Sequence, residues 1–131
     1  MSTPVRLITF NVKMLPFGSR KVGGISHMLR AKRLVKLLAE RITPTTVVCL
    51  QEAFCVGPRW KLEQSLRQLA LRPRGDPPPY SGLIMATNLR GPGLRFSEFT
   101  AEHGVDGLSR KGVTGATLAV PGAASQLMLF T

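Results

Sequence analysis

Val47-Val48-Cys49-Leu50-Gln51-Glu52-Ala53-Phe54 is the stretch that decides how this chain is built. Residues 46–50 are apolar without alternation and rich in β-branched types, the pattern of a strand buried on both faces. Gln51 and Glu52 follow at its carboxyl end, where two polar side chains need a reason to be. Upstream, Val5, Leu7, Ile8, Phe10 and Val12 mark a first strand over residues 5–12, and it runs out in Phe10-Asn11-Val12-Lys13. Between the two, residues 25–42 place Met28, Leu29, Leu34, Val35, Leu37, Leu38 and Ile42 at helical spacing, with Arg30, Lys32, Arg33, Lys36, Glu40 and Arg41 between them. Pro44 predicts the end of this helix, because the residue before a proline is pushed out of helical geometry.

A strand, a helix and a second strand form a right-handed crossover, which makes the strands parallel neighbours. Asn11 and Glu52 are then expected at the same edge of the sheet. A carboxylate beside a carboxamide is a pair of hard-oxygen donors of the kind magnesium accepts, with water and substrate phosphate filling its other positions. From spacing alone, a turn-capping Asn11 and a solvated Glu52 at a helix start are the commoner reading.

Downstream, residues 58–71 repeat the helical period through Trp60, Leu62, Leu66 and Leu69. Residues 72–79 (RPRGDPPP) read as a rigid connector, since consecutive prolines exclude helix and central strand. Short strands are predicted over residues 82–87 and 95–100. Two more, over 112–120 and 126–131, are joined by a turn at Pro121-Gly122. The order β-α-β-α followed by strands predicts a layered α/β protein whose second half is mostly sheet.

The chain has 131 residues, 44% of them hydrophobic, a size and composition that suit a single globular domain or part of one. Its 18 basic and 7 acidic residues give a net charge of +11. That charge attracts phosphate-bearing partners such as nucleic acid, anionic lipid or a phosphorylated metabolite, and does not choose among them. Much of it falls on the predicted helices, where a solvated surface is the plain alternative. Cys49 and Cys55 predict neither a disulfide framework nor, with His27 and His103, a zinc site. Cys49 reads as a small buried hydrophobe, His27 as a helix-face residue and His103 as a turn residue. No signal peptide and no apolar run of membrane-spanning length is visible, so a cytoplasmic location is expected.

Thr9-Phe10-Asn11-Val12, followed downstream by Val47 to Phe54, resembles the opening signature of the endonuclease/exonuclease/phosphatase (DNase I-like) superfamily, and Leu50-Gln51-Glu52 is its sharpest part. Asn11-Val12 with Leu15-Pro16, and the segment near Arg30, are similar to the neutral sphingomyelinase branch. So are the later blocks formed by Gly82 to Met85, Phe96, Phe99, Gly104, Asp106 and Lys111-Gly112-Val113. The chain departs from the branch at Ala86, Thr87, Asn88 and Pro92.

The resemblance implies the amino-terminal half of a four-layer α/β/β/α sandwich, a partial domain over residues 1–131 that stops before the family's catalytic His motifs. It also implies a phosphoric ester hydrolase in which Glu52 binds Mg2+ and Asn11 helps position the metal and the substrate phosphate, with Asp106 and Lys111 near the substrate entrance. Asp106 and Lys111 have a simpler alternative, a surface turn with one salt bridge. The implied substrate is a phosphodiester, a choline phospholipid first and DNA or a phosphoinositide second, and an anionic membrane surface is an implied partner. A non-catalytic basic module that binds nucleic acid or membrane stands as the alternative outside enzymology. The family's general base is a distal His that neither His27 nor His103 matches, so the chain by itself is expected to be inactive. A half sandwich is expected to leave apolar surface open and to self-associate.

Overall fold

The computed structural model describes residues 3–15, 21–22, 25–73, 81–91, 94–98 and 112–131. In chain order the elements are β1 (Arg6–Met14), β2 (Lys21–Val22), β3 (Ile25–Ser26), α1 (His27–Ala39), β4 (Thr46–Ala53), α2 (Val56–Gln68), β5 (Arg72–Pro73), β6 (Ile84–Thr87), β7 (Arg95–Glu98), β8 (Gly112–Ala119) and β9 (Gln126–Phe130). One sheet has the order β1-β4-β6-β5 and another the order β7-β8-β9, with β2 and β3 forming a small ribbon. β1 and β4 are parallel, as the crossover through α1 requires, whereas β6 runs antiparallel to β4.

The period-two alternation of β4 feeds two separate cores. Val48 and Leu50 join Val12, Met14, Ala31, Leu34, Leu38, Leu62 and Leu66 between the first sheet and the helices. Val47 and Cys49 face the other way, joining Met85, Leu89, Ala116 and Leu118 between the first sheet and the β8-β9 side of the second. Helices, sheet and sheet are thus the layers present among the described residues. Each fully buried leucine contributes about 1.5–3 kcal/mol by leaving water, which is why an uninterrupted apolar run at residues 46–50 reads as strand.

Helix α1 begins where Ser26 Oγ accepts the Leu29 amide at 3.2 Å, an N-cap bond that meets one of the helix's unpaired donors. It covers the core with His27, Ala31, Leu34 and Leu38. Met28, Leu29 and Leu37, which the helical period assigned to the apolar side, are 39–51% exposed. The apolar stripe is wider than the surface available to cover it. Trp60 is likewise 61% exposed while Leu62 and Leu66 are buried.

Arg72–Pro73 corrects the connector reading, because it pairs with Thr87 and Ala86 as the outermost strand of its sheet. An edge position leaves the side of the chain that lacks a proline amide unpaired, so Pro73 is tolerated there. The turn at Pro121-Gly122 forms as expected, with Gly122 at φ 75 and the Ala123 amide donating to the Val120 carbonyl at 3.1 Å.

Candidate functional site

At the carboxyl ends of β1 and β4, Asn11 is the direct register partner of Gln51, so Glu52 lies one residue beyond Asn11's neighbour. Asn11 and Glu52 are therefore brought to one sheet edge. Past this pair the ladder becomes irregular: Met14, three positions on from Asn11, pairs with Ala53, two positions on from Gln51. Irregularities of this kind re-aim side chains and collect beside functional sites. Here the backbone accommodates it with two non-glycine residues in the left-handed region, Lys13 at φ 49 and Glu52 at φ 58.

The left-handed turn at Glu52 breaks the alternation of β4. Gln51 faces the second sheet: its Nε2 donates to Thr9 Oγ1 on the neighbouring β1 at 3.0 Å and, across the layers, to Thr131 Oγ1 just past β9 at 3.1 Å. Ala53, only two residues later, already lies in the core under the helices. Glu52 is thus withdrawn from both cores, and it is half-buried at the sheet edge. A non-glycine residue in this conformation costs on the order of 1–3 kcal/mol and persists only where its surroundings impose it.

The surroundings do impose it. The Ala53 amide donates to the Gly82 carbonyl at 2.8 Å, and the Phe54 and Cys55 amides donate to the Met14 carbonyl at 3.0 and 3.2 Å. The Phe54 ring lies over Gly82, where a Cβ would meet it at 2.5 Å, and Gly82 at φ 69 holds a conformation that favours glycine. Lys13 is held by its own amide, which donates to Asn11 Oδ1 at 2.9 Å. Because that donor is a backbone N–H, the contacting atom of Asn11 is its carbonyl oxygen, and its amide nitrogen is the group left to meet an acceptor.

Next to the site, His27 departs from the helix-face reading. It is 4% exposed, and its Nδ1 lies 3.2 Å from Cys55 Sγ, while Cys55 Sγ donates to the Leu15 carbonyl at 3.1 Å. Burial first, and then the nearby Arg30 guanidinium, lower the His27 pKa, so the ring is neutral near pH 7. Neither cysteine forms a disulfide. Burial raises the Cys49 thiol to about 11, against a smaller opposing hydrogen bond from Thr131, which makes Cys49 inert as a nucleophile.

Among the described residues no three His, Cys, Asp or Glu side chains stand together as a metal cage. A magnesium ion does not require one: a single carboxylate with water and phosphate suffices, and Glu52 fits that role, while Asn11, whose oxygen accepts from the Lys13 amide, offers the phosphate its amide nitrogen. Asp106, Lys111 and His103 lie outside the described residues. The irregular ladder and the left-handed Glu52 have no signal in the sequence, since glutamate gives no hint of a positive φ.

An apolar groove on the helix side of β1 is lined by Phe10, Val12, Met14, Leu34 and Leu37, with Arg30 and Arg33 beside it. β1 is also the outermost strand of its sheet, with Leu7 and Phe10 about half exposed. No helix among the described residues is long and apolar enough to cross a membrane.

No model of a known protein family matches the chain, and neither does any curated protein. Solved structures do match it. Sphingomyelinase C from Streptomyces griseocarneus superposes with a TM-score of 0.71 at 19% identity, over 98% of this chain and 48% of its own. The protein SmcL gives 0.72 at 20% identity, over 96% and 46%. A β-hairpin deletion mutant of beta toxin from Staphylococcus aureus gives 0.71 at 17% identity, over 98% and 50%. Spanning about half the length of these structures, the chain carries about half of a DNase I-like fold, the fold it shares with sphingomyelinase C.

Proposed function

We propose that this chain supplies the metal-binding half of a magnesium-dependent phosphodiesterase of sphingomyelinase type. The observation that carries the proposal is the left-handed Glu52 set beside Asn11 at the end of a parallel strand pair. Glu52 would hold the magnesium, and the amide nitrogen of Asn11 would donate to a phosphate oxygen. A bound magnesium would supply stabilisation of negative charge developing on the phosphoryl group. The substrate read from the fold's likeness to sphingomyelinase C is a choline phospholipid. Asp106 and Lys111 are proposed near its entrance.

The decisive experiment measures hydrolysis of choline phospholipid and of nicked DNA, with and without Mg2+, by the protein that contains this chain, together with its Glu52→Gln variant. Magnesium-dependent release of phosphocholine that Glu52→Gln abolishes supports the proposal. Cleavage of DNA alone moves the substrate to nucleic acid within the same chemistry, a reading the +11 charge favours. Salt-sensitive binding to nucleic acid or anionic vesicles, without turnover and indifferent to Glu52→Gln, makes the chain a basic binding module instead.

A further inference from the structure

The first turns of α2 carry a residue that the metal site does not account for. Arg59 is a buried arginine, 7% exposed, under the loop that follows Glu52. Its Nη2 donates to the Leu83 carbonyl at 2.8 Å and its Nη1 to the Ala53 carbonyl at 3.4 Å. Its Nε donates to Glu63 Oε1 at 2.9 Å, one helical turn further along, and this pair fixes the guanidinium from behind. The planar fork of arginine reaches two separate carbonyls at once, which a lysine ammonium on its flexible stem does not reproduce.

Those two carbonyls belong to the segments that hold Glu52 in place. Ala53 is the residue after Glu52, and its amide is bonded to the Gly82 carbonyl, while Leu83 is the residue after Gly82. One guanidinium therefore ties the end of β4 to the start of β6 on the side away from Gln51, whose carboxamide ties the other side to Thr9 and Thr131. Glu52 stands between these two anchors in a conformation that its own residue type disfavours.

We propose that Arg59 is a positioning residue for Glu52: its fork on the Ala53 and Leu83 carbonyls holds Glu52 in the left-handed conformation in which its carboxylate meets the metal. This deepens the proposed magnesium role of Glu52 and rests on it for the metal, but not for the backbone conformation. A burial role alone would make Arg59 important to stability and indifferent to Glu52.

The test compares the chain with its Arg59→Lys and Glu63→Gln variants and with Leu66→Val, which weakens the same helix without touching the fork. NMR of each reads two quantities: the Cα shift and amide-to-α coupling of Glu52, which report its φ, and the Mn2+ concentration that half-broadens the Glu52 amide. In Arg59→Lys the left-handed signature is expected to disappear and the Mn2+ midpoint to rise at least tenfold. Glu63→Gln is expected to give a smaller shift in the same direction, and Leu66→Val none. A left-handed Glu52 that persists in both Arg59→Lys and Glu63→Gln overturns the inference, as does its equal loss in Leu66→Val. If Arg59→Lys fails to fold, Glu63→Gln alone decides. Absence of Mn2+ broadening in the parent chain overturns the metal role of Glu52, and the backbone signature still decides whether Arg59 positions it.

Discussion

The backbone amide of Lys13 donates to Oδ1 of Asn11 at 2.9 Å, and this one bond assigns both ends of the Asn11 carboxamide. Its oxygen serves the left-handed Lys13, and its nitrogen is the end that can serve a ligand. Asn11→Asp keeps the acceptor for Lys13 and replaces the donor by a negative charge. We expect melting within a few degrees of the parent and at least a tenfold loss of affinity for a phosphate ester, by calorimetry. Asn11→Ala loses both groups and should also lower stability by about 1 kcal/mol in urea unfolding.

Glu52 pays for its geometry in backbone strain. Alanine inherits that strain and glycine does not, so Glu52→Gly should be more stable than Glu52→Ala by roughly 1 kcal/mol. At an ordinary strand position the order is reversed, because glycine there costs roughly 0.5–1 kcal/mol relative to alanine. Paired urea titrations of the two variants decide it.

The Cys49 thiol, raised from 9.0 to about 11, links stability to alkaline pH. The folded chain holds this proton more tightly than the unfolded one. The resulting stabilisation is complete below pH 9 and is lost as pH rises through 11. Cys49→Ala should flatten that part of the stability profile, and iodoacetamide at pH 8 should alkylate Cys55 well before Cys49, as read by mass spectrometry.

His27 acts in the opposite direction. Its pKa is lowered from 6.5 by burial and by Arg30, so the unfolded chain takes up a proton that the folded one resists. The stability this represents is present above pH 6.5 and declines as pH falls through the depressed value. His27→Gln should remove that acid-side slope in urea midpoints measured from pH 7 down to 4.

Residues 1–131 assayed alone are expected to release no phosphocholine, because general-base catalysis is worth on the order of a hundredfold or more and neither His27 nor His103 matches the base that the resemblance implies. His27 is buried, and its Nδ1 faces Cys55. Magnesium-dependent turnover by the purified chain would contradict this. The same preparation should self-associate through the exposed edge of β1, and Phe10→Lys should shift its sedimentation toward the monomer.

The buried run at residues 46–50 and the helical period around Leu34 and Leu38 made the strand-helix-strand core legible in the sequence, and Pro121-Gly122 the turn between β8 and β9, because hydrophobic periodicity and proline chemistry are local. The proximity of Asn11 and Glu52 was legible too, through the handedness of the crossover. The exposed Met28, Leu29 and Trp60 were not, because a helix shows the same period whether or not enough surface exists to cover its whole stripe. The strand at Arg72–Pro73 was hidden because only its place at the sheet edge lets a proline pair.

What the sequence by itself determined is the β-α-β-α order of the first elements, the parallel pairing of β1 with β4 through their crossover and the residue types at its end, consequences of patterning within each segment and of the order in which the segments follow. Only the tertiary structure decided that Glu52 adopts a left-handed conformation, that Asn11 turns its oxygen to Lys13 and that Arg59 closes over the Ala53 and Leu83 carbonyls. Those outcomes depend on hydrogen bonds between segments distant in the chain, and no local preference of glutamate, asparagine or arginine encodes them.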